Sequence, residues 1–221
     1  MKAVASTSRE QHERTGRYVL EPMRPEEIPE VQEIERESFS MMWPLDSYAR
    51  ELRDNRLAHY LVLQLPGAEP PAAMPDERRP FPLSLLPRAQ AERAPGSPLR
   101  LAAYGGFWLM VDEAHITTIA VRRALRGQGL GELMLVGLLD WALPFGARWA
   151  SLEVRVSNRI AQNLYTKYGF KQTGVRPRYY SDNHEDALVM WTDELTSAAF
   201  QRRFQELKRA LAHRLDWEER F

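Results

Sequence analysis

Three glycines at alternate positions, Gly127, Gly129 and Gly131, form the segment of this chain with the clearest chemical potential. They follow an apolar, strand-like segment that ends in Ile119-Ala120-Val121, and they precede an apolar segment typical of a helix. Such a turn directs unpaired backbone N–H groups and the positive end of a helix dipole at one point. Glycine also lacks the Cβ atom that would keep a ligand away from the backbone. The segment therefore predicts a site for a phosphate or diphosphate group of a nucleotide-like cofactor.

The spacing of these glycines excludes two familiar phosphate loops. A P-loop needs G-x-x-x-x-G-K-[ST], and no Lys-Ser or Lys-Thr pair follows the glycines. A dinucleotide-binding fingerprint needs G-x-G-x-x-G early in a βαβ unit, whereas the order here is G-x-G-x-G, deep in the chain. The pattern that remains is R-x-x-G-x-G, formed by Arg126, Gly129 and Gly131. Taken alone, the glycines leave open that they serve only the geometry of a strand-to-helix turn.

Two polar residues after the loop are candidates for a site. Glu153 lies in an apolar segment typical of a strand, where alternation places it on the same face as Ser151. Burial there is expected to raise the pKa of Glu153 towards a range useful for a general base. The alternative is a glutamate on the solvent face of an edge strand. Asn158 lies between this segment and a helical one, and is expected to cap the helix.

The Arg126-x-x-Gly129-x-Gly131 pattern resembles the acetyl-CoA loop of the GNAT N-acetyltransferase superfamily. Blocks on both sides extend the likeness to its bacterial ribosomal-protein-alanine N-acetyltransferase branch, over roughly residues 18–191 apart from an insertion. The Leu-Glu-Val-Arg-Val-Ser-Asn and Arg-Tyr-Tyr blocks are far more specific than the glycines. The blocks are Asp112–Val121, Leu152–Asn158, Ala161–Tyr165, Tyr168–Phe170, Val175–Asn183 and Glu185–Trp191.

The resemblance implies a fold, a co-substrate and a binding site. The fold is the α/β (α+β) acyl-CoA N-acyltransferase fold, built on a mixed sheet. The co-substrate is acetyl-CoA, and no metal is expected. The residues expected to bind it are Ile119, Ala120, Val121, Arg126, Gly127, Gln128, Gly129, Leu130, Gly131, Glu132 and Asn158.

The resemblance also implies two catalytic residues. Glu153 matches the general base of the family. Tyr165 matches a tyrosine that protonates the departing thiolate, although an aromatic residue at helical spacing is more commonly a core residue. The amides of Ile119 and Val121, at a splayed strand edge, are expected to hydrogen-bond the pantetheine arm as a further strand would, with one N–H facing the thioester oxygen.

Five further residues are expected near the acceptor substrate. Arg178, Tyr179 and Tyr180 resemble the loop that walls the peptide site in the family. Asp112 and Glu113 are expected to add a negative field that favours a basic peptide. The alternative for all five is an ordinary role in turns.

Composition excludes several classes of function. The chain carries 30 basic and 30 acidic residues, so the basic excess typical of a nucleic-acid binder is missing. It has no cysteine, and its five histidines show no metal-binding spacing, which argues against disulfides and metal sites. No apolar run approaches the roughly 20 residues of a membrane span, and no signal peptide is recognisable. We expect a cytoplasmic protein without membrane or nucleic-acid contacts, either a monomer or a weak dimer.

Four segments are expected along the chain. Residues 1–17 form a flexible N-terminal extension, and residues 18–192 form the acetyltransferase domain. Within that domain, residues 66–98 contain 9 of the 15 prolines and are expected to be a surface insertion between two strands. Residues 193–221 are expected to form an amphipathic helix that packs on its own domain or, alternatively, docks a partner.

Together these observations predict an Nα-acetyltransferase. The substrate that the resemblance implies is the N-terminal alanine of a small-subunit ribosomal protein. One alternative keeps this chemistry but uses other protein N-termini, lysines or a small amine. A second alternative is a non-catalytic acyl-CoA-binding protein, which the presence of both Glu153 and Tyr165 argues against.

Overall fold

The structure, a computed structural model, describes residues 16–41, 43–44, 46–68 and 99–221. The predicted N-terminal extension therefore lies outside the described residues except for positions 16 and 17. The predicted proline-rich insertion lies outside them except for positions 66–68.

The described parts of the chain contain five α-helices and eight β-strands. The helices are α1 (Ile28–Ser38), α2 (Ser47–Asp54), α3 (Leu130–Ala142), α4 (Arg159–Lys167) and α5 (Ala198–Ala212). The strands are β1 (Tyr18–Pro22), β2 (Ala58–Gln64), β3 (Leu101–Met110), β4 (Glu113–Val121), β5 (Trp149–Arg155), β6 (Lys171–Arg176), β7 (Ala187–Trp191) and β8 (Trp217–Glu219).

The strands form one mixed sheet in the order β6-β7-β5-β4-β3-β2-β1-β8. The β4–β5 and β1–β8 pairs are parallel, and the other neighbours are antiparallel. The predicted mixed α/β fold is therefore confirmed. The sequence analysis did not predict β8, a strand of three residues that pairs with β1 at the edge of the sheet.

A hydrophobic core lies on each face of the sheet. The larger core includes most of α3 together with Tyr168 and Phe170 after α4 and Phe204 and Leu211 of α5. The smaller core lies under α1 and α2 and includes Val31, Ile34 and Tyr48. The sheet is thus covered on both faces by helices, as an α/β sheet with buried central strands requires.

Helix α3 is apolar around most of its circumference because it is covered on two sides. Nine of its residues are buried. Its Asp140 forms an ion pair with Lys208 of α5, which places α5 along the outer side of α3. A helix buried in this way loses the polar face of a surface helix. The C-terminal segment therefore packs on its own domain, as one of the two sequence-based alternatives proposed.

No helix among the described residues is both long enough and apolar enough to cross a membrane.

The packing of α5 predicts that the C-terminal segment unfolds together with the rest of the domain. Phe204 is 2% exposed, and its ring packs against Phe200 and Tyr168. Phe204→Ala should lower the free energy of unfolding by about 3–5 kcal/mol, because it leaves a cavity in the larger core. Urea denaturation should show this loss within a single transition. The exposed Arg202→Ala is the control, and equal behaviour of the two variants would contradict the packing described.

Candidate active site

The candidate site lies where two parallel strands separate. β4 and β5 pair only as far as Ile116 and Leu152. Both strands then continue, β4 to Val121 and β5 to Arg155. The hydrogen-bonding edges that these ends turn towards each other are therefore not paired with one another.

A β-bulge in β4 lies at the point of separation. Thr117 has no partner in β3, whereas Ile116 and Thr118 on either side of it do. An extra residue bends a strand and increases its twist. It also shifts the alternation of side chains, so that Ile116 and Ile119 both contribute to the larger core.

The backbone of β4 presents two N–H groups to the opening. The amide of Arg122 donates to the carbonyl of Ala102 in β3, at 2.9 Å. Because N–H direction alternates along a strand, the amide of Ala120 also points to β3. The amides of Ile119 and Val121 then point away from β3, towards the gap between β4 and β5.

The glycine-rich loop joins β4 to α3. Gly127 and Gly129 have φ values of 80° and 86°, in the left-handed region that favours glycine. Gly131 has no such requirement, and a Cβ atom there would meet only a methyl group of Val121, at 3.6 Å. The protein itself therefore has room for a side chain at position 131, so the missing Cβ leaves open space beside the loop.

The remaining predicted loop residues have different surroundings. Gln128 is exposed, whereas Leu130 is buried in the larger core and anchors the start of α3. The carboxylate of Glu132, in the first turn of α3, faces α4 and the end of α5. It accepts hydrogen bonds from Lys167, Tyr168 and Arg214. Burial favours a higher pKa for Glu132, but these three hydrogen bonds outweigh it and the pKa is lowered.

Two arginines, the buried Arg122 and the exposed Arg126, hold the start of this loop against α1. Arg122 is 5% exposed, donates to the carbonyl of Leu101, and forms ion pairs with three glutamates of α1: Glu30, Glu33 and Glu37. Arg126 donates to the carbonyl of Val121 at 3.0 Å and to the Oγ of Ser38 at 2.9 Å. The side chain of Arg126 therefore fixes the loop on α1.

Glu153 lies on β5 and faces the side chains of His115 and Arg176. Its carboxylate lies 3.2 Å from Nε2 of His115 and 3.1 Å from the guanidinium of Arg176. The hydrogen bond from His115 lowers the pKa of Glu153, burial opposes this, and the charges of His115 and Arg176 lower it further. The net pKa lies below the usual value. The expectation that burial raises the pKa of Glu153 is therefore wrong, because two neighbours from other strands stabilise the carboxylate.

A chain of hydrogen bonds extends from Glu153 along the paired part of β4 and β5. Nδ1 of His115 lies 2.8 Å from Oγ of Ser151, and that hydroxyl donates to the carboxylate of Glu113. A serine hydroxyl has one proton, so when it donates to Glu113 the Nδ1 of His115 must be the donor to Oγ. His115 thereby connects Glu153 to Ser151 and Glu113.

The sequence analysis missed His115. A signal for it was present, since alternation places Glu113 and His115 on one face of β4, as it places Ser151 and Glu153 on one face of β5. Only the parallel register, which sets His115 beside Ser151, brings the four side chains together.

Tyr165 and Asn158 lie on α4. Asn158 caps the helix, as expected, by accepting a hydrogen bond from the amide of Ala161 at 3.2 Å. The ring of Tyr165 packs against Phe170, with centroids 5.7 Å apart. Burial raises the pKa of the Tyr165 hydroxyl, and the nearby Tyr180 raises it further. Within the described ranges this hydroxyl has no hydrogen-bond partner, so its proton is available to a ligand.

Arg155 organises the loop between β6 and β7. It follows Glu153 on the same face of β5 and forms ion pairs with Asp182 and Glu185, at 2.8 and 3.1 Å. Its guanidinium lies 3.8 Å from the centre of the Tyr180 ring. Burial raises the pKa of Tyr180 to about 12, although the charge of Arg155 opposes this. The loop is thereby held close to Glu153.

The same loop contacts the connection between α1 and α2. The hydroxyl of Ser40 donates to the carboxylate of Asp182, and that of Ser181 donates to Sδ of Met41 at 2.9 Å. Tyr179 is 44% exposed and packs edge-on against Tyr180. The two loops therefore meet on one side of the candidate site.

The other residues predicted near the acceptor, Asp112, Glu113 and Arg178, make different kinds of contact. Glu113 joins the hydrogen-bonded chain at His115, whereas Asp112 receives the amides of Arg148 and Trp149 through its carbonyl and supports the start of β5. Arg178 is exposed, has a φ of 54°, and donates its amide to Asp186. In the parts of the chain that the structure describes, no group of three His, Asp or Glu side chains is arranged to hold a metal ion.

Comparisons with known proteins show the family of this chain. A model of the acetyltransferase (GNAT) family matches residues 28–170. A protein of Bacillus subtilis strain 168, named as a candidate ribosomal protein bS18-alanine N-acetyltransferase, is 40% identical over 76% of this chain and 91% of its own length.

Two solved structures share the fold. The ribosomal-protein-S18-alanine N-acetyltransferase of Escherichia coli superposes with a TM-score of 0.59 and 24% identity, over 79% of this chain and 92% of that one. The NatC complex bound to Gag peptide and CoA gives a TM-score of 0.56 and 18% identity, over 80% of this chain and 98% of that one. The family model covers more than half of the chain and the B. subtilis relative most of it. The chain therefore belongs to the GNAT family of acetyltransferases.

Proposed function

We propose that this chain transfers the acetyl group of acetyl-CoA to the N-terminal amine of a protein, with the N-terminal alanine of a small-subunit ribosomal protein as substrate. The observation that carries the proposal is the gap between β4 and β5, with Glu153 and His115 at its inner end and the glycine-rich loop beyond it. The name of the B. subtilis relative supports the choice of acceptor.

The residues around the gap fit acetyl-CoA. The amides of Ile119 and Val121 can hydrogen-bond a pantetheine arm as a neighbouring strand would. The amides of the glycine-rich loop and of the first turn of α3 suit a diphosphate, and the open space at Gly131 lets it approach the backbone. Acetyl-CoA supplies an activated acetyl group as a thioester.

Glu153 is the group that can accept the proton of the acceptor amine. The lowered pKa of Glu153 keeps it ionised at neutral pH, so it can hold an incoming ammonium group directly or through water. His115, at 3.2 Å, links the carboxylate to Ser151 and Glu113 and so fixes its position. We therefore assign the base function to Glu153, with His115 as the residue that positions its carboxylate.

Tyr165 is the proposed acid for the departing thiolate. A tyrosine hydroxyl keeps its proton at neutral pH, and burial raises the pKa of Tyr165 further above its ordinary value. A proton donor is needed only at the moment when negative charge develops on sulfur, and a phenol with no other partner in the described residues can supply it.

The acceptor is expected to be an α-amine rather than a lysine. A free α-amino group has a pKa of about 7.7–8, against about 10.4 for lysine, so a weak base suffices for the α-amine. The lowered pKa of Glu153 makes it a weak base. Tyr179 and Tyr180 would wall the path of the first peptide residues, and Glu113 adds negative charge close to His115.

Acetylation of defined peptides tests this proposal. The protein and acetyl-CoA would be incubated with a peptide that begins with alanine, with the same peptide blocked at its N-terminus but carrying a lysine, and with a polyamine. Intact-mass analysis should show one added acetyl group on the first peptide only. Acetylation of the blocked peptide or of the polyamine in preference to the free N-terminus would contradict the proposal.

Glu153→Gln should separate catalysis from binding. We expect a rate at neutral pH lower by about 10²-fold or more, since the variant cannot accept a proton, with acetyl-CoA affinity little changed. The deficit should shrink as pH rises and the amine loses its proton unaided. The exposed Glu26→Gln is the control. A near-normal rate with no pH dependence of the difference would remove Glu153 from the mechanism.

The pH profile of the unchanged protein follows from the same pKa. Since the pKa of Glu153 is lowered, this carboxylate is ionised well below neutral pH and cannot cause a loss of rate near pH 7. The rate on a saturating peptide should therefore fall with the protonation of the acceptor, so peptides with different α-amine pKa values should shift the midpoint. An acid limb that stays fixed across such peptides would contradict this assignment.

Substitution of Gly131 by alanine should affect acetyl-CoA affinity, whereas the same substitution at Gly129 should affect stability. Gly131→Ala meets no close protein atom, so stability should be kept while acetyl-CoA binds at least about 10-fold more weakly because the Cβ fills the open space. Gly129→Ala forces a left-handed residue to carry a side chain, and should lower stability by about 1 kcal/mol or more. Calorimetry and thermal denaturation measure the two effects. Unchanged affinity in Gly131→Ala would mean that this glycine serves the turn alone.

A further inference from the structure

The C-terminal segment reaches the glycine-rich loop although it lies outside the part of the chain that the family model matches. Helix α5 runs antiparallel to α3, because Lys208 pairs with Asp140 near the end of α3 and Arg214 pairs with Glu132 near its start. A Cβ atom at Gly129 would lie 3.4 Å from a methyl group of Leu215. The residues just after α5 therefore lie beside the first turn of α3.

Arg214 is held at this position by a single ion pair and keeps most of its donors free. Its guanidinium donates to Glu132 at 3.0 Å, the one hydrogen bond of this side chain among the described residues. The Arg214 side chain is 54% exposed. A guanidinium has five N–H donors in a planar fork that suits phosphate oxygens, so several donors remain for a ligand.

The charges around Glu132 leave a net positive site. Lys167 and Arg214 bind its two carboxylate oxygens, and Tyr168 donates to one of them. One negative and two positive groups thus stand at the N-terminal turn of α3, where the helix dipole adds further positive potential. An unpaired glutamate here would repel phosphate groups, whereas the two cations reverse that effect.

We propose that Arg214 binds the 3′-phosphate of the adenosine end of acetyl-CoA, and that the packing of α5 on α3 places Arg214 where it can do so. The inference rests on the proposed use of acetyl-CoA. The backbone amides of the glycine-rich loop account for the diphosphate. The 3′-phosphate is the other charged group of the molecule, and a half-exposed arginine at the rim of the same helix end is a suitable partner for it.

Comparison of CoA with 3′-dephospho-CoA tests the proposal directly. Calorimetry should show that Arg214→Gln weakens CoA binding about 10-fold while the affinity for 3′-dephospho-CoA changes by less than about 2-fold. The loss should diminish as salt is added, since the contact is exposed. Arg214→Lys keeps the charge but not the fork, and should recover part of the preference for CoA.

Arg202→Gln is the matched control, since Arg202 is exposed on α5 about 15 Å along the axis from the last residue of the helix, Ala212, which Arg214 follows. It should bind both ligands like the unchanged protein. Equal losses for both ligands in Arg214→Gln would show that Arg214 only supports the loop, and no loss for either would show that it has no part in binding. Both results overturn the inference but not the proposed function. Failure of the unchanged protein to bind CoA would instead overturn the proposed use of acetyl-CoA.

Discussion

The end of the ladder between β4 and β5 is the constraint on which the rest of the candidate site depends. Hydrogen bonds join the two strands up to Ile116 and Leu152, and the bulge at Thr117 turns β4 away. The paired half aligns His115 with Ser151, beside the proposed base Glu153, while the separated half frees the amides of Ile119 and Val121. One change in pairing thus places acid–base groups and binding groups side by side.

Contacts on both faces of the sheet hold the glycine-rich loop and α3 in place. The buried Arg122 ties the start of the glycine-rich loop to three glutamates of α1, on one face of the sheet. On the other face, α5 packs over α3 and α4 through Phe204 and Leu211. Breaking a buried ion-pair network is costly because it leaves charges without partners. The loop is therefore fixed before a ligand arrives, which favours binding.

Much of this arrangement could be predicted from the sequence. Apolar alternation and helical spacing gave the order of the elements from β1 to α5, and Asn158 was predicted as the cap of α4. Those features are local, so the residues themselves encode them. The short strand β8 was missed because its three residues form a strand only by pairing with β1, about 200 residues earlier in the chain.

The electrostatics of the site could not be predicted in the same way. The pKa of Glu153 depends on His115 from β4 and Arg176 from β6, and both come close only through the sheet order. Considered with its own strand alone, Glu153 is a partly buried carboxylate, for which a raised pKa is the correct expectation. The position of Arg214 beside the glycine-rich loop could not be predicted either, since Arg214 and its partner Glu132 are 82 residues apart.

A crystal structure with a conjugate of CoA and an alanine-terminated peptide would test the central claim most directly. The account predicts that the pantetheine part lies between β4 and β5, hydrogen-bonded to the amides of Ile119 and Val121. The sulfur should lie near the Tyr165 hydroxyl, and the peptide nitrogen should lie within reach of Glu153, directly or through one water. A conjugate bound outside this gap, or with its peptide nitrogen remote from Glu153 and His115, would contradict the account.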